Sequence, residues 1–305
     1  MTVSIVYLKG FAMGSADVVP GVSGGTIALI AGIYDRLITA LTSLDPRVLR
    51  ELPGVTESTG RRELKQNLED MDVFFLLALG LGIMTAVVLV SRVMHGAITS
   101  YPVLTYSFFA GLILASAIIL YREIDGWTVP RVVVSMAGVG LATTVAGVTA
   151  TSAAPSTVVI FFAGTIAISA MVLPGISGAF FLLLLGQYEY LTGELRLFVD
   201  SVLGLLTGGG MDPVLETGSV IVTFGTGAIV GLFTISHIIR LALDRYRMAT
   251  LVFLVSLMVG GLRLPIEQIA ANIESGSPAL GVIGVGSGIL LVLLLDAYTD
   301  DLSYT

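Results

Sequence analysis

The chain has 305 residues, 55% of them hydrophobic and 12% charged, with a mean hydropathy of +0.96. Soluble domains carry about 25% charged residues, so this balance excludes an ordinary soluble domain and indicates a multi-span membrane protein. The net charge is −7, nothing points to nucleic acid as a partner, and the absence of cysteine excludes disulfides, thiolate metal sites and cysteine nucleophiles.

No cleavable signal peptide is expected, because the start lacks a basic region and Lys9 lies inside an apolar run. That run, about 3–34, is split near its middle by "VVPGVSGGT", whose glycines and proline break a helix. A polar loop rich in Arg and Glu follows at 42–71, with a helix expected from near Arg61. Full spans are expected at roughly 73–94, 102–121 and 131–150. A second apolar region, 157–191, is split in the same way by "VLPGISGAF". The next loop, 193–218, contains Gly208-Gly209-Gly210, read as a linker because no Gly-Lys-Ser/Thr of a nucleotide loop follows. The last spans are expected at 219–241, 249–263 and 279–296, the middle one short. The halves of the split regions, roughly 14–18 residues, are too short for spans and predict re-entrant half-helices.

The two split regions repeat each other. A shift of 154 positions aligns Gly10–Leu41 with Gly164–Leu195 and gives 13 identities in 32 positions. Pro20/Pro174, Gly21/Gly175, Ser23/Ser177, Gly24/Gly178, Gly32/Gly186 and Tyr34/Tyr188 are among them. The fold class read from this is an all-α polytopic membrane protein made of an inverted repeat. Each half, 1–150 and 151–305, has one re-entrant helical hairpin and three transmembrane helices; three crossings are odd, so the second half enters from the opposite side. Loop charges agree. Eleven cations (Arg36, Arg47, Arg50, Arg61, Arg62, Lys65, Arg122, Arg131, Arg240, Arg245 and Arg247) fall on one face, against Arg92, Arg196 and Arg263 on the other. This bias places both termini in the cytoplasm, in a plasma-membrane protein.

A helix that restarts after Pro-Gly-x-Ser-Gly presents unpaired N–H groups and the positive end of its dipole. At membrane depth such a tip is an anion site when it faces protein or a water-filled cavity. The expected binding residues are therefore Pro20, Gly21, Ser23, Gly24, Gly25 and Thr26 in the first half, and Pro174, Gly175, Ser177 and Gly178 in the second. Close helix packing by small residues is the competing reading of these glycines. Asp17, ionisable within an apolar run, is read as a coupling or substrate-contacting group, or else as a cap for the exposed amides. Its repeat counterpart is Met171, so the role is not two-fold symmetric. Lys9 is read as a cation for an anionic substrate, with snorkelling to the interface as the alternative. Asp35 and Glu189 are read as solvated interfacial acids, Arg92 and Arg263 as interfacial anchors or headgroup contacts, and Trp127 as interfacial belt. No cofactor or metal is expected.

The segments "KGFAMGSADVVPGVSGGTIALIAGIYDRL" (9–37), "AISAMVLPGISGAFFLLLLGQYEYL" (167–191) and "SFFAGLILAS" (107–116) resemble the polyprenyl-phosphate transporter family, over most of the chain. The resemblance implies a non-enzymatic transporter that returns a polyprenyl phosphate lipid carrier between leaflets, working among membrane lipids. Ala179 departs from the pattern, standing where the first half has Gly25, and puts equal use of the two tips in doubt. Two other classes stand beside this one. A polyprenyl-diphosphate phosphatase needs a cation on the phosphoryl group and an activated nucleophile, and neither motif contains arginine or histidine. A transporter of small soluble anions would share the tips but need no side opening for a lipid tail.

Overall fold

A computed structural model of the chain describes residues 2–43, 66–149, 155–171, 176–274 and 277–303. Among them the regular structure is helical, without strands. The first split region forms α1 (Val3–Val18), α2 (Gly24–Ile30) and α3 (Tyr34–Ser43). The helices α4 (Val73–Ser100), α5 (Pro102–Arg122) and α6 (Val129–Thr149) complete the first half. The second split region forms α7 (Thr157–Met171), α8 (Gly178–Leu184) and α9 (Tyr188–Leu205). Then come α10 (Asp212–Phe233), α11 (Ile235–Gly261), α12 (Arg263–Asn272) and α13 (Pro278–Ser303).

Among the described residues six stretches are long and apolar enough to cross a membrane: α4, α5, α6, α10, Leu241–Asn272 across α11 and α12, and α13. Each overlaps one of the six expected spans, but the span expected at 219–241 is Asp212–Phe233, its last residues belonging to α11. The short span expected at 249–263 belongs to the 32-residue stretch Leu241–Asn272. The loop expected at 193–218 is a correction: α9 runs to Leu205, because Leu195, Leu197, Val202 and Leu203 keep it apolar, and only 206–211 link it to α10. Of the helix expected from near Arg61, residues 66–70 are described and helical; its start, and most of the 42–71 loop, lie outside the described residues.

Glycines set the helix pairs. In α1 and α4, Gly10 lies against Leu79 and Gly14 against Ile83, so the two run parallel with their backbones in contact. The pair α7 and α10 repeats this, with Gly227 against Phe161 and Gly231 against Thr165. Two further parallel pairs join the halves. Gly284 and Gly288 of α13 meet Leu104 and Phe108 of α5, while Gly138 of α6 meets Phe253 of α11 and Gly260 of α11 meets Val139. The halves accordingly share a core, in which Phe109, Leu112 and Ile113 of α5 pack with Phe180, Leu183 and Met258. Around this core the broken helices are held from both sides.

Candidate functional site

The first break follows from local chemistry. Pro20 has no N–H to continue α1, and Gly21 takes φ +92°, a region closed to most side chains. The chain then restarts at Gly24, and its N–H donates to Asp17 Oδ1 at 2.7 Å. At the other end of α2, the Lys9 ammonium donates to the Ala31 carbonyl. Residue 17 thus faces 24 and residue 9 faces 31: α2 folds back along α1, with a carboxylate at its amide end and a cation at its carbonyl end. Beyond it, Gly32 at φ +63° allows the 116° bend into α3.

The second break lies against the first. Ser177, the N-cap of α8, accepts from the Phe180 N–H at 3.3 Å. The same hydroxyl donates to the Val19 carbonyl across the break, also at 3.3 Å. Tyr188, at the start of α9, donates to the Val18 carbonyl at 2.7 Å, and Ser116 of α5 donates to the Gly21 carbonyl at 2.8 Å. The carbonyls freed where α1 stops are therefore received by hydroxyls from α5, α8 and α9, as buried backbone requires.

A cavity lies on each side of the segment 18–23. One, of about 260 Å³, is lined by Gly21, Val22, Ser23, Thr26, Ser116 and Thr299, with apolar walls from α5 and α13. Ser23 is only 5% exposed, yet among the described residues its hydroxyl has no hydrogen-bond partner, and the same holds for Thr26. Asp296 also lines this cavity and is itself engaged by a neighbour. The other cavity, of about 290 Å³, is lined by Asp17, Ser91, Gly178, Tyr188 and Thr192 within apolar walls from α4, α7 and α10. Ser91 is 3% exposed and, among the described residues, without a hydrogen-bond partner.

Comparison with known sequences bears on what such an arrangement belongs to. Residues 13–277 match the family described as undecaprenyl phosphate translocase-like. The chain belongs to this family. It is similar to the polyprenyl-phosphate transporter of Vibrio cholerae serotype O1, 36% identical over 256 residues, 84% of this chain and 75% of the relative. It is also similar to the polyprenyl-phosphate transporter of Staphylococcus aureus, 29% identical over 301 residues, 95% of each chain. No solved structure matches. The family and both relatives are named for translocation or transport rather than for an enzymatic activity.

Within this member of the family the expected site residues divide into groups. Gly21, Ser23 and Thr26 line one cavity; Asp17 and Gly178 line the other. Gly25 lies beside Ser23, and Pro20 is fully buried at the turn. The Ser177 hydroxyl is engaged on both sides, as acceptor and donor. Lys9 sits at the far end of α2 from Gly24, on a carbonyl. Pro174 and Gly175 lie outside the described residues. Arg92 pairs with Asp200, and Arg263 with Glu267 at 2.6 Å and the Thr143 carbonyl at 2.8 Å, so each of these two arginines has a local partner. Glu189 is exposed and accepts from the Tyr106 hydroxyl at 3.4 Å. Sequence reasoning missed Ser91, Ser116 and the bonding role of Tyr188. Tyr188 was visible as the partner of Tyr34 in the repeat, whereas a lone serine in an apolar helix carries no pattern.

Proposed function

We propose that this chain moves a polyprenyl phosphate between the leaflets of a membrane, its headgroup passing the two joined breaks. One observation carries the reading: segment 18–23, held by hydroxyls from three other helices, has a cavity with unpaired buried hydroxyls on either side. In the first, Ser23 and Thr26 offer two donors, and the amides of Gly25 and Thr26 belong to a first helical turn, where N–H groups lack partners. Donors of this kind suit the oxygens of a phosphate. The names of the two relatives supply the lipid.

The hairpins are read as re-entrant and the repeat as inverted. If 157–191 crossed the membrane once, α6 and α11 would run antiparallel; their contacts are parallel, as are those of α5 and α13. With no crossing there, α10 runs opposite to α4. Since α1 runs with α4 and α7 with α10, the two hairpins enter from opposite faces. Cytoplasmic termini follow from the loop cations. Transport then consists of exchanging the bonds of Tyr188, Ser177 and Ser116 to the segment, so that the headgroup meets one cavity and then the other. Asp17, touching both the segment and the second cavity, is the coupling group for a proton or other ion.

A leaflet-specific assay in proteoliposomes tests the reading, with polyprenyl phosphate and inorganic phosphate compared on the same protein. Accelerated crossing of the lipid supports it. Rapid movement of inorganic phosphate with no effect on the lipid overturns it in favour of a soluble-anion transporter.

A further inference from the structure

A third cavity, larger than the two at the break, has no role in holding a phosphate. It measures about 440 Å³ and lies between α7, α8 and both arms of α11. The cavity exists because α11 leaves helical geometry at Tyr246 (φ −136°, ψ 43°), so that Ile239 and Ala242 before the kink, and Ala249, Phe253 and Leu254 after it, face one space. Among the described residues none that lines it is charged. Its serine and threonine hydroxyls are engaged by backbone: Ser169 by the Thr165 and Gly231 carbonyls, and Thr250 by the Tyr246 carbonyl. Tyr246 and Ile238, both more than 60% exposed, stand at its open side.

Its inner end leads to the break. Phe181 and Leu254 line both this groove and a narrow space bounded by Gly21, Ile176, Ser177, Phe180 and Met258. Gly21 in turn lines both that narrow space and the cavity of Ser23 and Thr26. A hydroxyl-lined chamber, a neck and an apolar groove therefore follow one another, in the order of head, joint and tail of a single-chain amphiphile. The neck holds about 10 Å³, room for about one water. Its walls are side chains, among them Phe180, Phe181 and Met258, together with Gly21 of the first break. Methionine adapts readily to a new neighbour. A single hydrocarbon chain passes such a neck when these side chains rotate, whereas a bilayer phospholipid brings two chains from one headgroup.

We infer that the groove between α7, α8 and α11 is the seat of the isoprenoid chain of the carried lipid, and that this single-tail path selects polyprenyl phosphates over two-chain phospholipids. The inference rests on the proposed function and extends it to the tail. Its test uses the full chain in vesicles of phosphatidylethanolamine and phosphatidylglycerol that contain a labelled long-chain polyprenyl phosphate. A photo-crosslinking residue is placed at Ala249, in the groove, or at Met136, 71% exposed on α6. Capture of the label is expected at 249. Unlabelled polyprenyl phosphate should suppress it by about tenfold or more, a difference of one decade in affinity, while excess dioleoyl phosphatidic acid should not. Position 136 should show no such preference. Equal competition by phosphatidic acid at 249, or no capture there by a protein that still transports the lipid, overturns the tail site and leaves the transport reading intact. Absence of polyprenyl phosphate transport by the unmodified chain overturns both. As a second variant, Ala249→Trp fills the groove and should lower lipid transport by about tenfold with an unchanged melting temperature. Normal transport by that variant counts against the tail site.

Discussion

Asp17 and Met171 stand 154 positions apart in the repeat and occupy the same place, each against the first glycine of a seven-residue helix. A Cβ built on Gly24 would overlap the Asp17 carboxyl, and one built on Gly178 would lie 2.6 Å from Met171 Cγ and 2.8 Å from its Sδ. The backbone relation is thus repeated while the chemistry is not. One tip is closed by a carboxylate that accepts its first N–H; the other is covered by a thioether, a weak acceptor. The two tips are therefore unequal, and the difference lies at Asp17 as well as at Ala179.

Asp17→Asn keeps an oxygen for the Gly24 N–H and removes the charge. The variant should fold, bind the phosphate headgroup at least as well as the original chain, and lose the acceleration that an ion gradient gives to transport. Gradient-driven transport and headgroup affinity, measured on one reconstituted sample, check this. A full response to the gradient would leave Asp17 as a cap alone. Asp17→Ala should also lower the melting temperature, since an unpaired buried N–H costs about 1–3 kcal/mol.

Neighbouring glycines should behave differently. Gly24→Ala drives a methyl group into the Asp17 carboxyl, whereas a methyl on Gly25 meets only Ser23 Oγ, at 3.5 Å. Transport should fall steeply in the first variant and stay near its original rate in the second. Equal tolerance of both would show that the contact between Asp17 and Gly24 is dispensable.

The two motif serines should separate affinity from stability. The Ser23 hydroxyl is free to meet the ligand, so Ser23→Ala should weaken headgroup binding by about 1.5–3 kcal/mol, the range for a hydrogen bond to a charged group, with an unchanged melting temperature. Ser177→Ala strands the Phe180 N–H and leaves the Val19 carbonyl with the Val22 N–H alone. That variant should unfold at lower temperature, at about 1–3 kcal/mol for each buried group left unpaired. Tyr188→Phe, which strands the Val18 carbonyl, should resemble it. Calorimetry in detergent and a headgroup-binding assay distinguish the two classes.

The orientation can be read by labelling, because the chain has no cysteine of its own. Thr2→Cys and Glu123→Cys should react from the cytoplasmic side, and Gly210→Cys from the outer side, with an impermeant reagent. A Cβ at Gly210 meets nothing within 4 Å, so that substitution should not disturb the fold. Reaction of positions 123 and 210 from the same side would refute the proposed topology.

What the sequence determined by itself was whatever depends on composition and on order along the chain. Apolar length defines a span whatever it packs against, so the six membrane-length stretches were legible in advance. Proline and glycine act on their own backbone, so the break at 19–23 was legible too, as was the restart of a helix at Gly178, and the duplication exposed their importance. Tertiary structure decided which polar groups remain free. Ser23 and Ser177 are identical in the repeat, yet one hydroxyl faces a cavity and the other is consumed by Val19 and Phe180. Lys9 and Asp17 share one helix, yet they serve opposite ends of α2 because that helix folds back on α1. Ser91 and Ser116 gain meaning only from what stands opposite them. Hydrogen bonding is a relation between distant residues, and in a bilayer, where water cannot complete an unmet bond, that relation separates a site residue from a structural one.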